Sequence, residues 1–173
     1  MKFITFFFIF LFNTSIYSNN FATVDLDLIL NKSTSYQIFI DKINDFIKTE
    51  SLEFQANEII LQKNNADIES KKSILNENDF NNLISNYNMQ LNIYQNNIAN
   101  FNLLVDQNIE TNKTIIIDKI VEILKKISIK DDYDFILTNN DYLLAKNKFD
   151  ISNLVINKLN EYNILLDTYN TEK

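Results

Sequence analysis

The sequence predicts a mostly α-helical fold with a small β body, in which a long antiparallel helical hairpin is inserted into a short three-stranded sheet. Three observations carry this reading. Apolar residues recur every seven positions from Ile40 to Leu75. A second apolar series, at alternating steps of three and four, runs from Ile84 to Val105. Strand-like segments occur only near the two ends of the chain, at residues 21–25 and 134–146.

Residues 1–18, MKFITFFFIFLFNTSIYS, carry one positive charge at Lys2 and then an uncharged run from Phe3 to Phe12. A bilayer span needs about 20 apolar residues, so this shorter run is expected to be a secretory signal peptide cut after Ser18, with an uncleaved amphiphilic anchor as the alternative. No Cys follows the run, which excludes a lipoprotein anchor.

The segment Phe21–Asp25 alternates like a strand and passes at once into helical spacing at Leu26, Ile29 and Leu30. From there the heptad position Ile40, Ile47, Phe54, Leu61, Ile68 and Leu75 calls for a long helix packed along a seam. Its companion position, Tyr36, Ile43, Glu50, Asn57, Asn64 and Lys71, begins apolar and turns polar, so the seam is expected to be tightest at its base. The stretch NEND, residues 76–79, suits a turn or a helix start. After it Ile84, Tyr87, Leu91, Tyr94, Ile98, Phe101 and Val105 form a second seam. Folding the two series back on each other pairs positions whose numbers sum to about 155, so that Leu61 meets Tyr94 and Phe54 meets Phe101. A long helix that pairs with another molecule is the alternative. Past Val105 the steps of four, four and three through Ile109, Asn112, Ile116, Ile120, Ile123 and Ile127 approach an eleven-residue repeat, which unwinds a left-handed supercoil.

The C-terminal part reads as a strand at Asp134–Thr138, a turn at Asn139-Asn140-Asp141, a strand at Tyr142–Lys146, and an Asp150-capped helix from about Ile151 to Tyr162. Two short strands are marginal alone, so the strand at 21–25 is expected to join them. The expected organisation is a body built from 19–34 and 129–165, an arm over 35–128 that turns near 76–79, and a tail at 166–173.

Composition removes most familiar chemistry. The 173 residues include no Cys, His, Gly, Pro, Trp or Arg. That leaves no zinc site of His or Cys, no glycine-rich phosphate loop, no serine or cysteine nucleophile with a His base, and no arginine clamp. No enzyme activity and no cofactor are expected. Asp131, Asp132 and Asp134 form a dense acidic cluster, but their spacing is wrong for a calcium loop and they read as solvating a helix-to-strand loop. The net charge is −7, and removal of Lys2 with the leader takes it to −8. Such a chain has no electrostatic reason to hold nucleic acid or an anionic membrane, and no stable membrane insertion is expected once the leader is cut.

Two motifs carry a family resemblance. FATVDLDLIL near the start resembles the opening of the Skp (OmpH) family of periplasmic chaperones, and YDFILTNNDYLLAKNKFDISNLVINKLN resembles that family's closing pattern. They bracket the hairpin in the family's order. The resemblance implies a homotrimer whose short strands form one shared barrel, with three arms around a cavity. It further implies an ATP-independent periplasmic holdase that shields unfolded outer-membrane proteins. Val24, Ile136, Leu143 and Leu144 are the candidates for the subunit interface, and Leu52, Ile59, Ile93 and Leu103, apolar and off the main seam, for client contact. One departure is that no Lys or Arg occurs from Ser73 to Asn112, so lipopolysaccharide binding or capture by positive arms does not carry over. A competing reading is a structural or adaptor coiled-coil protein of the cell envelope that docks a fixed folded partner.

Overall fold

A computed structural model describes residues 20–167. The expected signal peptide lies outside the described residues. The elements in chain order are β1 (Phe21–Val24), α1 (Leu26–Asn31), α2 (Thr34–Lys71), α3 (Glu77–Asp131), β2 (Phe135–Thr138), a single 3-10 turn at Asn147–Phe149, and α4 (Ser152–Leu159).

The starts of α1, α2 and α3 are signed in the sequence. Asp25 caps α1 by accepting from the Leu28 N–H at 2.9 Å, Ser33 caps α2 through Tyr36 N–H, and Asn76 caps α3 through Asp79 N–H at 3.0 Å. Such caps satisfy backbone donors that the first turn leaves open. Glu77 and Asp79 add negative charge where the helix dipole favours it. Because Asn76 starts α3, the break between the long helices lies at 72–76, a few residues before the expected 76–79. At its far end α3 stops on Asp132 in the left-handed region, at φ 55°. Glycine is the usual residue for that cap; this chain has none, and Asp is one of the few others that tolerate it.

The helices α2 and α3 run antiparallel. Phe54 packs edge-on against Phe101 with ring centroids 5.4 Å apart, and Asn64 reaches Gln90 at 3.5 Å. Both pairs keep the expected sum near 155. At about 1.5 Å per residue, the 38 residues of α2 extend about 57 Å. The 55 residues of α3 continue past the start of α2, and their last turns are covered by α1 and α4 instead.

That handover sets where the core sits. Ile116, Ile120, Ile123 and Ile127 of α3 are buried with Ile29 and Leu30 of α1, Phe39 and Ile43 of α2, and Val155 and Leu159 of α4. Between residues 44 and 104 the buried apolar side chains are Leu61 and Ile68. The arm therefore has a thin interior along most of its length, as a two-helix layer must, while the body holds the packed cluster.

The sheet corrects the expectation of three strands. Among the described residues it has two, β1 and β2, paired in parallel from Phe21 opposite Phe135 to Val24 opposite Thr138. The other side of β1 meets an isolated bridge, Thr23 to Asp150, with the Ile151 N–H donating to Thr23 O at 3.0 Å. Residues 142–146 form no strand. The reason is local: the turn expected at 139–141 is present, but the Asp141 carboxylate accepts from both Thr138 N–H at 2.8 Å and Thr138 Oγ1 at 2.7 Å. That takes the donor from which a hairpin ladder would start, and these two bonds hold the Asp141 carboxyl below its ordinary range.

Helix α4 starts at Ser152 and ends at Leu159, shorter than expected. It is fastened at both ends. Ser152 Oγ accepts from the Asp25 N–H at 2.8 Å, while Ser152 N–H donates to Asp150 at 2.8 Å. Asn160 accepts from Thr34 N–H at 2.9 Å and donates to Lys32 O at 3.1 Å. The chain then runs on as an extended strap to Asp167 along the base of α2 and α3.

Candidate functional site

With no described helix long and apolar enough to cross a membrane, and no metal-holding group of three His, Cys, Asp or Glu side chains among the described residues, the candidate sites are surfaces. The acidic cluster serves the fold. Asp134 accepts from Asn20 N–H at 2.8 Å, and Asn20 Nδ2 donates to the carbonyls of Asp131 and Asp132 at 3.1 Å.

The arm carries the longest run of uncovered apolar side chains. Leu52, Ile59, Ile93 and Leu103 are 61%, 59%, 52% and 55% exposed, far beyond what seam positions show. Geometry divides them. Leu52 and Ile59 are seven residues apart and each lies two residues before a seam position, Phe54 and Leu61, so both fall on the back of α2, about 200° from the seam. Leu103 stands two residues after Phe101, on the back of α3 by the same reasoning. Ile93 is different: it lines an open groove of about 370 Å³ on one flank of the hairpin, with Ile60, Leu61 and Tyr94 as its apolar part and Asn57, Asn64, Gln90 and Asn97 around them. The structure therefore brings Ile93 together with Ile60, which sequence reasoning passed over. The signal was available, since Ile60 precedes a seam residue by one position and a 100° step places it on the flank.

The body offers the second surface. Leu143 and Leu144 are 102% and 89% exposed. Leu144 also lines an open groove of about 460 Å³ formed by Phe21, Thr23, Leu137, Tyr142 and Phe149 among others. Ile136 is half-buried and packs against the body core. Val24 is 1% exposed: it is spent on the chain's own core, in the buried cluster with Ile29, Leu30, Val155 and Leu159, and it offers no surface to a second subunit. Phe21 stacks between Phe135 at 5.7 Å and Phe149 at 4.4 Å, which holds the groove's rim to the sheet.

Charge is uneven across these surfaces. Glu122 on α3 receives hydrogen bonds from Lys119 at 2.7 Å and Lys126 at 2.6 Å. Those bonds, Lys119 first, bring its carboxyl down to about 2 and raise Lys126 in turn. On the distal arm the cations sit on α2, where Lys71 pairs with Asp67 beside the tip, while α3 has no Lys before Lys113. Burial, with Glu110 nearby, pushes the Tyr36 phenol up at the arm's base.

The family model described as "Outer membrane protein (OmpH-like)" matches residues 20–159. No curated protein matches the chain. Among solved structures, the crystal structure of a protein from Caulobacter crescentus CB15, described as a candidate OmpH-like outer membrane chaperone, superposes with a TM-score of 0.75 at 12% identity, covering 88% of this chain and 89% of that one. At that identity the likeness establishes a shared fold.

Proposed function

Because the chain belongs to the OmpH-like outer membrane protein family, we propose that it is an ATP-independent holdase of the periplasm that shields unfolded outer-membrane proteins between helical arms. The observation that carries this is the arm itself: a long two-helix layer with few buried side chains and apolar residues spread along its outside. A catalytic pocket would gather its groups, whereas this surface distributes them. Leu52, Ile59, Ile93 and Leu103 are the proposed contacts. Each would add a weak apolar contribution, so that a client is held without being fixed in one conformation.

The subunits assemble as a homotrimer through their bodies. Support comes from Leu143 and Leu144, two adjacent leucines almost fully in solvent, beside a β2 edge that no described strand covers. Open edges and large apolar patches are liabilities that association removes. In that assembly Leu143 and Leu144 meet a neighbouring body, and Ile136 lies beside them.

Two measurements test the reading. The mass of the mature protein in solution is expected to be that of three chains. Substoichiometric aggregation of an unfolded outer-membrane barrel protein is expected to be suppressed without nucleotide. A monomer that leaves aggregation unchanged overturns the proposal. The adaptor reading has one observation in its favour, Ile74 at the arm tip, 79% exposed. It requires a folded partner held by the tip, and an Ile74→Ser variant that still suppresses aggregation disposes of it.

A further inference from the structure

The strap that follows α4 lies beyond the stretch that the family model matches, which ends at residue 159. It is nevertheless seated on the hairpin by a specific set of bonds. Asn112, 1% exposed and on the apolar seam of α3, accepts from the Asp167 N–H at 2.9 Å and donates to Asp167 O at 2.9 Å. Asn108, one turn away, donates to the same carbonyl at 3.2 Å. Ser35 Oγ on α2 accepts from the Ile164 N–H at 3.3 Å. Every one of these bonds is made to the strap's main chain, so the seat reads an extended backbone and not a side-chain identity. Between them the side chains alternate: Ile164 and Leu166 pack against the body core, while Leu165 points away and is 84% exposed.

We propose that this seat, at the base of the arm between α2 and α3, is a strand-binding groove, and that the strap is a built-in competitor which an unfolded client displaces. The inference rests on the holdase reading and adds a regulated site to it. The occupant is a polypeptide in extended form with apolar residues at every second position, the pattern of a strand with one apolar face. Two features favour exchange over a permanent clasp. Buried amides at 108 and 112 interrupt a run of isoleucines at positions where an aliphatic residue would pack without needing a partner, and a buried amide left without one is costly. A vacated seat keeps the Asn112 Nδ2 bond to Asn108 O at 2.9 Å but leaves Asn112 Oδ1 without its donor, which another main chain can supply. The strap is also tethered a few residues from its site, which gives it a high effective concentration. A free peptide competes poorly; a long client that also engages the arms competes well.

The test uses the full chain. Replacing Ile164→Asp and Leu166→Asp together releases the strap while leaving Asn108, Asn112 and Ser35 in place. A fluorescent peptide of sequence EYNILLD, residues 161–167, is then titrated into the wild type, the released variant, and the released variant that also carries Asn112→Ala. The released variant is expected to bind at least tenfold more tightly than the wild type, with the added Asn112→Ala losing at least that tenfold. Equal binding by wild type and released variant, or binding by neither, overturns the proposal. Should the released variant lose its helix content, hydrogen exchange in the wild type decides. The Ile164 and Asp167 amides are expected to exchange faster when an unfolded barrel protein is bound, and unchanged exchange in a chain that does hold that client overturns the proposal. Peptide binding does not require client protection, so a wild type that fails to suppress aggregation rejects the holdase reading separately.

Discussion

Replacing Ile116 by Ala separates the body's packing from the arm's surface. Ile116 is fully buried on α3, at the level where the hairpin passes into the body. The substitution removes three carbons, a transfer loss of about 2.4 kcal/mol at about 0.8 kcal/mol each. The space left within the buried cluster cannot fully collapse, which puts the total within about 2–5 kcal/mol. For a chain of about 150 ordered residues the unfolding entropy is about 0.3 kcal/mol per degree, so a loss of about 3 kcal/mol lowers the melting temperature by about 10 °C. The assay is a circular dichroism melt at fixed chain concentration, since association would make the midpoint depend on concentration. Leu52→Ala is the control: at 61% exposed it should cost no more than about 0.5 kcal/mol. A shift below about 3 °C for Ile116→Ala, or an equal shift for Leu52→Ala, would refute the placing of the core.

Three further outcomes are expected. Changing Leu52, Ile59, Ile93 and Leu103 together to Ser should leave the melt nearly in place while weakening client capture about tenfold, roughly 1.4 kcal/mol shared over four contacts; undiminished protection of an unfolded barrel protein would remove these residues from the site. Ser152→Ala strands the Asp25 N–H that now donates at 2.8 Å, and the loss, read from a denaturant midpoint, should be about 1–3 kcal/mol; a change under about 0.5 kcal/mol would show that the bond is immaterial. Glu122 has a depressed carboxyl, about 2 against an ordinary 4.5, so its contribution is present above the ordinary value and is lost as pH falls from about 4.5 to about 2. The melting difference between wild type and Glu122→Gln should therefore be present at pH 6 and vanish toward pH 2, and a difference that persists unchanged at pH 2 would count against this.

The seam of the arm was legible because it answers to a single partner. Ile40, Ile47, Phe54, Leu61 and Ile68 lie on α2 and face one helix, and a seven-residue period is what one facing helix imprints; Leu75, in register, falls in the turn. Phe39 was not legible, although it is 2% exposed. At the base α2 is covered by the body as well as by α3, and two partners widen the buried stripe beyond any one heptad position. The sheet was half legible. The alternation of residues 21–25 and 134–138 marked both strands, but composition could not show that Asp141 would take the Thr138 donor and turn 142–146 away from a ladder. Exposure of the four client candidates followed from their distance off the seam; the flank groove with Ile60 needed the two helices to be brought together. The strap was out of reach. Asn112 appeared as a polar residue in an apolar series, and its partner is a main-chain carbonyl 55 residues away, which leaves no trace in side-chain pattern.

The parallel pairing of β1 with β2 joins Phe21 to Phe135, residues a whole arm apart. A loose coil of that length would have to find its own ends, and the hairpin spares it the search by acting as a splint. Once the two long helices are zipped, the start of α2 is held alongside the last few turns of α3, and only α1, the end of α3 and the short link to β2 remain to be placed. Assembly thus runs from the limb inward, the reverse of building on a finished foundation. Pulsed hydrogen exchange during refolding should find protection on α2 and α3 ahead of β1; strands protected first would mean that the body forms without its splint.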